Sequence, residues 1–134
     1  MPEFAHSALR VSDLDRSLAF YRLLGFEERR RFEVRDPAFM RALNLPGISV
    51  GVFLGLPGAA DRLELLQTPG IAVEVGAGFH HTGLRVEDLD ALLERLAAAG
   101  WAPLSAPFVA PSGARICLVP DPDGYAVELI QPGV

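Results

Sequence analysis

Apolar residues along the chain follow two periods, one typical of helices and one typical of strands. Leu14, Leu18 and Tyr21 recur at i, i+4 and i+7, which predicts an amphipathic helix that begins after Ser12-Asp13 and ends at Gly25. Either short oxygen side chain of that pair can cap the helix, and glycine is a common residue just after a helix end. Shorter apolar runs predict strands at residues 4–11, 26–34, 48–54 and 63–67.

The second half of the chain repeats this order of elements. Leu89, Leu92 and Leu96 line one face of a second helix, which Gly100 stops. Asp121-Pro122-Asp123-Gly124 predicts a tight turn, because proline fixes one φ and glycine allows a positive φ. The strands of this half are expected at residues 79–86, from 101–104 onward, at 114–119 and at 125–131.

Two stretches of sequence recur. Residues 6–15, HSALRVSDLD, reappear at 81–90 as HTGLRVEDLD, and residues 62–67, RLELLQ, reappear at 126–131 as AVELIQ. We therefore predict an α+β fold of two tandem βαβββ modules, residues 1–70 and 71–134, which form one structural domain by internal repeat. With pseudo-twofold symmetry they would form a curved mixed sheet around a metal-binding cavity. The glycine-rich segment 68–78 is the predicted linker.

The first copy is longer than the second between its histidine and its glutamate. The extra segment is placed at residues 36–47, where Phe39, Met40 and Leu43 could form one short amphipathic turn. A loop of this kind can be a lid or a substrate wall, or a surface elaboration without a role, and the sequence favours neither.

Each copy carries one histidine near its start and one glutamate near its end. The pairs are His6 with Glu64 and His81 with Glu128. Each glutamate stands in an apolar strand, where an unpaired charge would be costly and a metal ion would remove that cost. Two imidazoles and two carboxylates suit a divalent first-row ion with open positions for substrate. His80 has no counterpart in the first copy and is expected on the opposite face from His81.

Composition excludes several classes of partner. The net charge is −5, so no basic patch indicates nucleic-acid binding. The single cysteine, Cys117, allows no internal disulfide and is expected to be a buried strand residue. No signal peptide and no apolar stretch of about 20 residues is evident, so a cytoplasmic protein without membrane partners is expected.

Four motifs span nearly the whole chain. They are His6-x-x-Leu9-Arg10-Val11-x-Asp13, Leu63-Glu64-Leu65, His81-x-x-Leu84-Arg85-Val86-x-Asp88-Leu89-Asp90 and Asp121-Pro122-Asp123-Gly124-Tyr125-x-x-Glu128-Leu129. Together they resemble the vicinal oxygen chelate superfamily, which includes glyoxalase I, bleomycin-resistance proteins, extradiol dioxygenases and methylmalonyl-CoA epimerase.

The ligand set is similar to that of glyoxalase I, and the resemblance implies a lyase or isomerase. His6, Glu64, His81 and Glu128 would bind a divalent ion, which could be Ni, Co, Zn, Mn or Fe. Glu128 would be the catalytic base and Glu64 its partner, moving a proton next to a carbonyl through a metal-bound enediolate. Arg10 matches an arginine that contacts glutathione, and Arg85 is its repeat equivalent. Either arginine could instead pair with a neighbouring carboxylate.

The chain departs from glyoxalase I at two places that concern glutathione. Thr68 stands where glyoxalase I has an asparagine, and Pro111-Ser112-Gly113 replaces a Lys-Gly-Gly stretch, so glutathione use stays open. The alternatives are a small-molecule binding protein of the bleomycin-resistance type, an epimerase or an extradiol dioxygenase. The superfamily resemblance also implies a homodimer, with the site formed within one chain or across two.

Overall fold

The computed structural model describes residues 1–76 and 78–133, which form two compact units. The first unit ends at Glu74 and the second begins at Val75. Ala77, which belongs to the predicted linker 68–78, lies outside the described residues, as does Val134 at the end of the predicted second module.

The first unit contains a four-stranded mixed sheet. Its strands lie in the order β1-β4-β3-β2, with β1 parallel to β4 and the other neighbours antiparallel. The insert predicted at residues 36–47 contains a short second helix. In chain order the elements are β1 (Ser7–Arg10), α1 (Leu14–Leu23), β2 (Glu27–Val34), α2 (Pro37–Ala42), β3 (Ser49–Gly55) and β4 (Leu63–Gln67).

The second unit has the same sheet topology, and its described residues include no counterpart of α2. Its strands lie in the order β5-β8-β7-β6, again with the first pair parallel. The α+β class and the two tandem βαβββ modules are therefore confirmed. The elements are β5 (His81–Arg85), α3 (Leu89–Ala98), β6 (Phe108–Val109), β7 (Arg115–Pro120) and β8 (Ala126–Gln131).

A glutamine at the end of the last strand caps the helix in each unit. The side chain of Gln67 accepts a hydrogen bond from the N–H of Leu14 at 2.8 Å, and Asp13 caps the same helix in the predicted way. At α3, the side chain of Gln131 accepts a hydrogen bond from the N–H of Leu89 at 2.8 Å, and Asp88 is the N-cap residue. Because these side chains satisfy orphan N–H groups of the first turn, they fix each helix to one end of its sheet.

The helix of each unit covers one face of the sheet. Helix α1 packs on β4 and α3 packs on β8. The core of the first unit includes Leu18, Phe20 and Tyr21 from α1, with Leu63 and Leu65 from β4. Since side chains alternate along a strand, Glu64 lies on the face that α1 does not cover. No helix in the described part of the chain has the length and hydropathy needed to cross a bilayer.

The strand expected to begin within residues 101–104 does not form there. This part of the second unit contributes only β6 (Phe108–Val109). Leu104 donates one backbone hydrogen bond to the carbonyl of Leu118 at 2.9 Å. Pro103 and Pro107 have no N–H to donate, so a continuous ladder cannot form between them.

Candidate functional site

The first unit brings His6 and Glu64 together. His6 immediately precedes β1 and Glu64 is the second residue of β4, and the His6 Nε2 atom lies 3.6 Å from Glu64 Oε2. Ala8 is the register partner of Glu64 and lies two residues after His6, so all three share one face of the sheet. The small side chain of Ala8 leaves space beside the pair.

The second unit brings His81 and Glu128 together in the same way. The His81 Nε2 atom lies 3.6 Å from Glu128 Oε1. Gly83, two residues after His81, is the register partner of Glu128. Gly83 thus holds the place that Ala8 has in the first unit, and both residues are small. A Cβ at Gly83 would stand 3.8 Å from the Glu128 carboxylate, which is an ordinary contact distance.

Glu64 is buried to an unusual degree for a carboxylate. Only 8% of the residue is exposed. Burial raises the pKa of Glu64 above its ordinary value of 4.5, while the nearby His6 and Arg30 side chains act in the opposite direction. The carboxyl is therefore held in surroundings that disfavour its charge unless a cation approaches.

The donor atoms of each pair fit a shared divalent ion. Two ligand atoms that each lie about 2.1 Å from one ion are separated by roughly 3.0 to 3.4 Å at octahedral or tetrahedral angles. The observed separation of 3.6 Å in both pairs is slightly wider, so a small side-chain adjustment would let both donors reach one ion. Imidazole nitrogen with carboxylate oxygen is a donor set that first-row ions accept.

Each pair is formed within one unit, and neither pair is enlarged by further ligands there. Among residues 1–76 and 78–133, no group of three or more His, Cys, Asp or Glu side chains that could hold an ion is present. Arg10 is the last residue of β1 and Arg85 is the last residue of β5, and both are exposed. Each arginine lies two residues after the small residue that faces the glutamate, Ala8 or Gly83. The roles of all six residues as ligands or substrate contacts stay predictions.

Two neighbours of these pairs were not identified from the sequence. The Phe53 ring meets the His6 ring edge-on, with centroids 4.9 Å apart, and nothing in the apolar run of β3 singles it out. His80 was expected on the opposite face from His81, yet their Nδ1 atoms lie 2.8 Å apart. Strand alternation does not govern His80, because β5 begins only at His81.

Comparison with known proteins gives a consistent set of matches. The family model of the Glyoxalase/Bleomycin resistance protein/Dioxygenase superfamily matches residues 3–129. A lactoylglutathione lyase of Haemophilus influenzae is 33% identical over 96% of this chain and 92% of its own length. A lactoylglutathione lyase of Arabidopsis thaliana is 32% identical over 97% of this chain, but the chain spans only 44% of that relative.

Solved structures match the same fold. Glyoxalase I from Zea mays superposes with a TM-score of 0.77 at 28% identity, covering 98% of this chain and 45% of the maize chain. A glyoxalase family protein from Bacillus cereus superposes with a TM-score of 0.88 over 100% of this chain and 96% of its own. At 19% identity the second match concerns the fold alone.

Proposed function

The chain belongs to the Glyoxalase/Bleomycin resistance protein/Dioxygenase superfamily, and on that premise we propose that it is a divalent-metal-dependent lyase or isomerase that moves a proton next to a carbonyl group. The observation that carries the proposal is the repeated His–Glu pair, with its donor atoms 3.6 Å apart in both modules. The curated relatives named lactoylglutathione lyase support the same reaction class.

The proposed ligands are His6, Glu64, His81 and Glu128. Each pair supplies two of them, so an ion with four protein ligands needs both pairs, from one chain or from two copies of it. When bound, the ion would supply Lewis-acid stabilisation for negative charge that develops on a carbonyl oxygen. Nickel, cobalt, zinc, manganese and iron are all compatible with this donor set.

The two glutamates are proposed to move the proton. Glu128 takes it from the carbon next to the carbonyl, and the proton is returned on the neighbouring carbon. The Glu128 side chain is 25% exposed, which leaves it room to turn toward a substrate, whereas that of Glu64 is 10% exposed. We therefore assign the base to Glu128 and the supporting role to Glu64.

The substrate is proposed to be a small carbonyl compound, and glutathione is not required by the proposal. Thr68, which stands where glyoxalase I has an asparagine, is only 5% exposed. Its hydroxyl lies 2.6 Å from the Ser49 hydroxyl, which in turn donates to the carbonyl of Gly47. Through Ser49, the first residue of β3, Thr68 thus links the segment after β4 to the end of the 36–47 insert. Its hydroxyl is engaged in this link, which leaves a thiol substrate without the contact that an asparagine would offer.

The test combines metal loading with a substrate screen. The full chain is reconstituted with each candidate ion and assayed for isomerisation of adducts of 2-oxoaldehydes with several thiols. We expect activity in at least one combination, and a loss of 100-fold or more in Glu128→Gln. Glu94→Gln, an exposed glutamate of α3, is the matched control and should keep full activity. Equal activity in the two variants would contradict the assignment.

A binding protein of the bleomycin-resistance type is the second candidate. The observation that favours it is the aromatic cluster beside Glu64, in which the half-buried Phe32 and the buried Phe53 lie with ring centroids 5.5 Å apart. The ring of Phe32 could contact an apolar compound without metal. A protein that binds such compounds tightly, takes up no divalent ion and isomerises no adduct would establish this alternative.

We also propose a homodimer. Strand β6 is an edge strand of the second sheet, and its two residues Phe108 and Val109 are 50% and 67% exposed. Exposed apolar edge strands are usually covered in native proteins. Light scattering at micromolar concentration should give twice the mass of one chain, and a monomer mass would contradict the dimer.

A further inference from the structure

A β-bulge in β2 decides which arginine faces the candidate site. Glu28 pairs with Leu54, but the next residue of β3, Phe53, pairs with Arg30 rather than with Arg29. The extra residue of the bulge changes the alternation of the strand, so Arg30 shares the face of Phe53. In an uninterrupted ladder, Arg29 would hold that place.

Arg30 differs from its neighbours in how its donors are used. The Arg29 guanidinium donates to the carbonyl of Leu56 at 2.7 Å, and that of Arg31 donates to Glu28 at 2.9 Å. Arg30 makes no hydrogen bond or ion pair within the described residues. Its guanidinium carbon lies 4.8 Å from the ring centroid of Phe53, a cation–π contact that uses none of the five N–H donors.

Arg30 lies in line with the candidate ligand Glu64. Phe53 is the register partner of both residues, so Arg30, Phe53 and Glu64 occupy three adjacent strands on one face. Adjacent strands are about 4.8 Å apart, which separates the Cα atoms of Arg30 and Glu64 by roughly 10 Å. The guanidinium lies closer to Glu64 than this Cα separation, because it stacks on the Phe53 ring of the intervening strand. A small molecule with one group at each end can therefore reach both side chains.

We propose that Arg30 is a specificity-determining residue that binds a carboxylate of the substrate. The proposal rests on the proposed function, and it names the substrate class as carbonyl compounds that carry a carboxylate several bonds from the reacting carbon. The fixed guanidinium offers a bidentate pair of donors to that carboxylate. The half-buried ring of Phe32 would contact the apolar part between the two ends.

Binding of a matched pair of probes to the metal-free full chain tests the proposal. Benzoate and its neutral analogue benzamide are titrated, with amide NMR shifts as the readout. Benzoate should bind about tenfold more tightly than benzamide and shift resonances of β2 and β3. Arg30→Gln should reduce benzoate affinity to the benzamide level, while Arg31→Gln, whose guanidinium pairs with Glu28, should not change it.

Three results would overturn the inference. They are equal binding of the two probes, unchanged benzoate affinity in Arg30→Gln, and a loss that occurs only in Arg10→Gln. Metal titration of the same variants separates this test from that of the proposed function. If the chain binds no ion but Arg30→Gln still loses benzoate, the metal enzyme fails and the carboxylate site stands.

Discussion

Glu64 and Glu128 hold equivalent places in the two sheets, yet the Glu64 side chain is 10% exposed and that of Glu128 is 25% exposed. The register partner of Glu64 on the next strand is Phe53, whereas that of Glu128 is Leu118. The aromatic ring, packed against His6, shields the first carboxylate more completely. The two halves of the repeat are therefore unequal in their electrostatics.

Replacing Glu64 by glutamine should stabilise the metal-free protein near neutral pH. The folded-state pKa of Glu64 is raised above 4.5, so the native state binds more protons than the unfolded state between 4.5 and the raised value. Stability consequently falls as pH rises through that window and stays lower above it. Thermal unfolding of Glu64→Gln should show a Tm a few degrees above that of the parent at pH 7, with the gain vanishing below pH 4.5.

The same pH series on Glu94→Gln provides the control, since that glutamate is exposed on α3. Its Tm should match that of the parent at pH 7, where Glu64→Gln is expected to raise the Tm. A Tm difference for Glu64→Gln that did not change with pH would contradict the account of its burial.

Replacing His80 should weaken metal binding without disturbing the fold. Its Nδ1 contact orients the His81 ring, so that Nε2 of His81 faces Glu128. Replacing a residue that orients a metal ligand typically lowers metal affinity by 10- to 100-fold. Calorimetric titration of His80→Ala should show about a tenfold loss, and His80→Asn should recover part of it. Unchanged affinity in His80→Ala would remove the positioning role.

Gly51 is required by the ring of Phe32. A Cβ at Gly51 would stand 2.2 Å from the Cζ atom of Phe32, so the ring must leave its place over the strand. Gly51→Ala should destabilise the protein by about 1–3 kcal/mol in denaturant unfolding, as overpacking does. Adding Phe32→Ala should make the Gly51 change nearly neutral, and equal costs in both backgrounds would contradict the clash.

Asp121 holds the turn that leads into β8. It is 4% exposed, and its Oδ1 atom accepts hydrogen bonds from the N–H groups of Asp123 and Tyr125, both at 2.9 Å. Asp121→Ala should cost about 1–3 kcal/mol of unfolding free energy, because the part-buried N–H of Asp123 and the buried N–H of Tyr125 both lose this acceptor. Asp121→Asn keeps one carbonyl oxygen and should cost less, and the reverse order would contradict this role.

The sequence predicted those parts of the fold that depend on local periodicity. Strand β4 has the predicted bounds, because its short apolar run is rich in leucine and is followed by the Thr68-Pro69-Gly70 break. The strand predicted from residue 101 onward was wrong, because Pro103 and Pro107 interrupt the ladder that the apolar residues alone would favour. The insert does contain a short helix, but Phe39 and Leu43 are 47% and 44% exposed and do not form a buried face.

The candidate site was predictable where the repeat marks it and not elsewhere. The repeat assigns His6 and Glu64 to one module, and the structure sets them 3.6 Å apart. The orientation of Arg30 depends on a bulge, which changes the alternation that a sequence pattern assumes. The contact of His80 depends on a residue outside any strand. Neither the bulge nor the position of His80 produces a repeating pattern of apolar and polar residues that could have predicted it.

Metal stoichiometry is the measurement that tests the central claim most directly. The full chain is incubated with nickel, cobalt, zinc, manganese or iron(II), freed of unbound ion, and analysed for bound metal by mass spectrometry. We predict one ion per chain for at least one metal, and an occupancy reduced at least tenfold in His6→Ala under the same conditions. An occupancy near zero for every ion, or full occupancy in His6→Ala, would contradict the account.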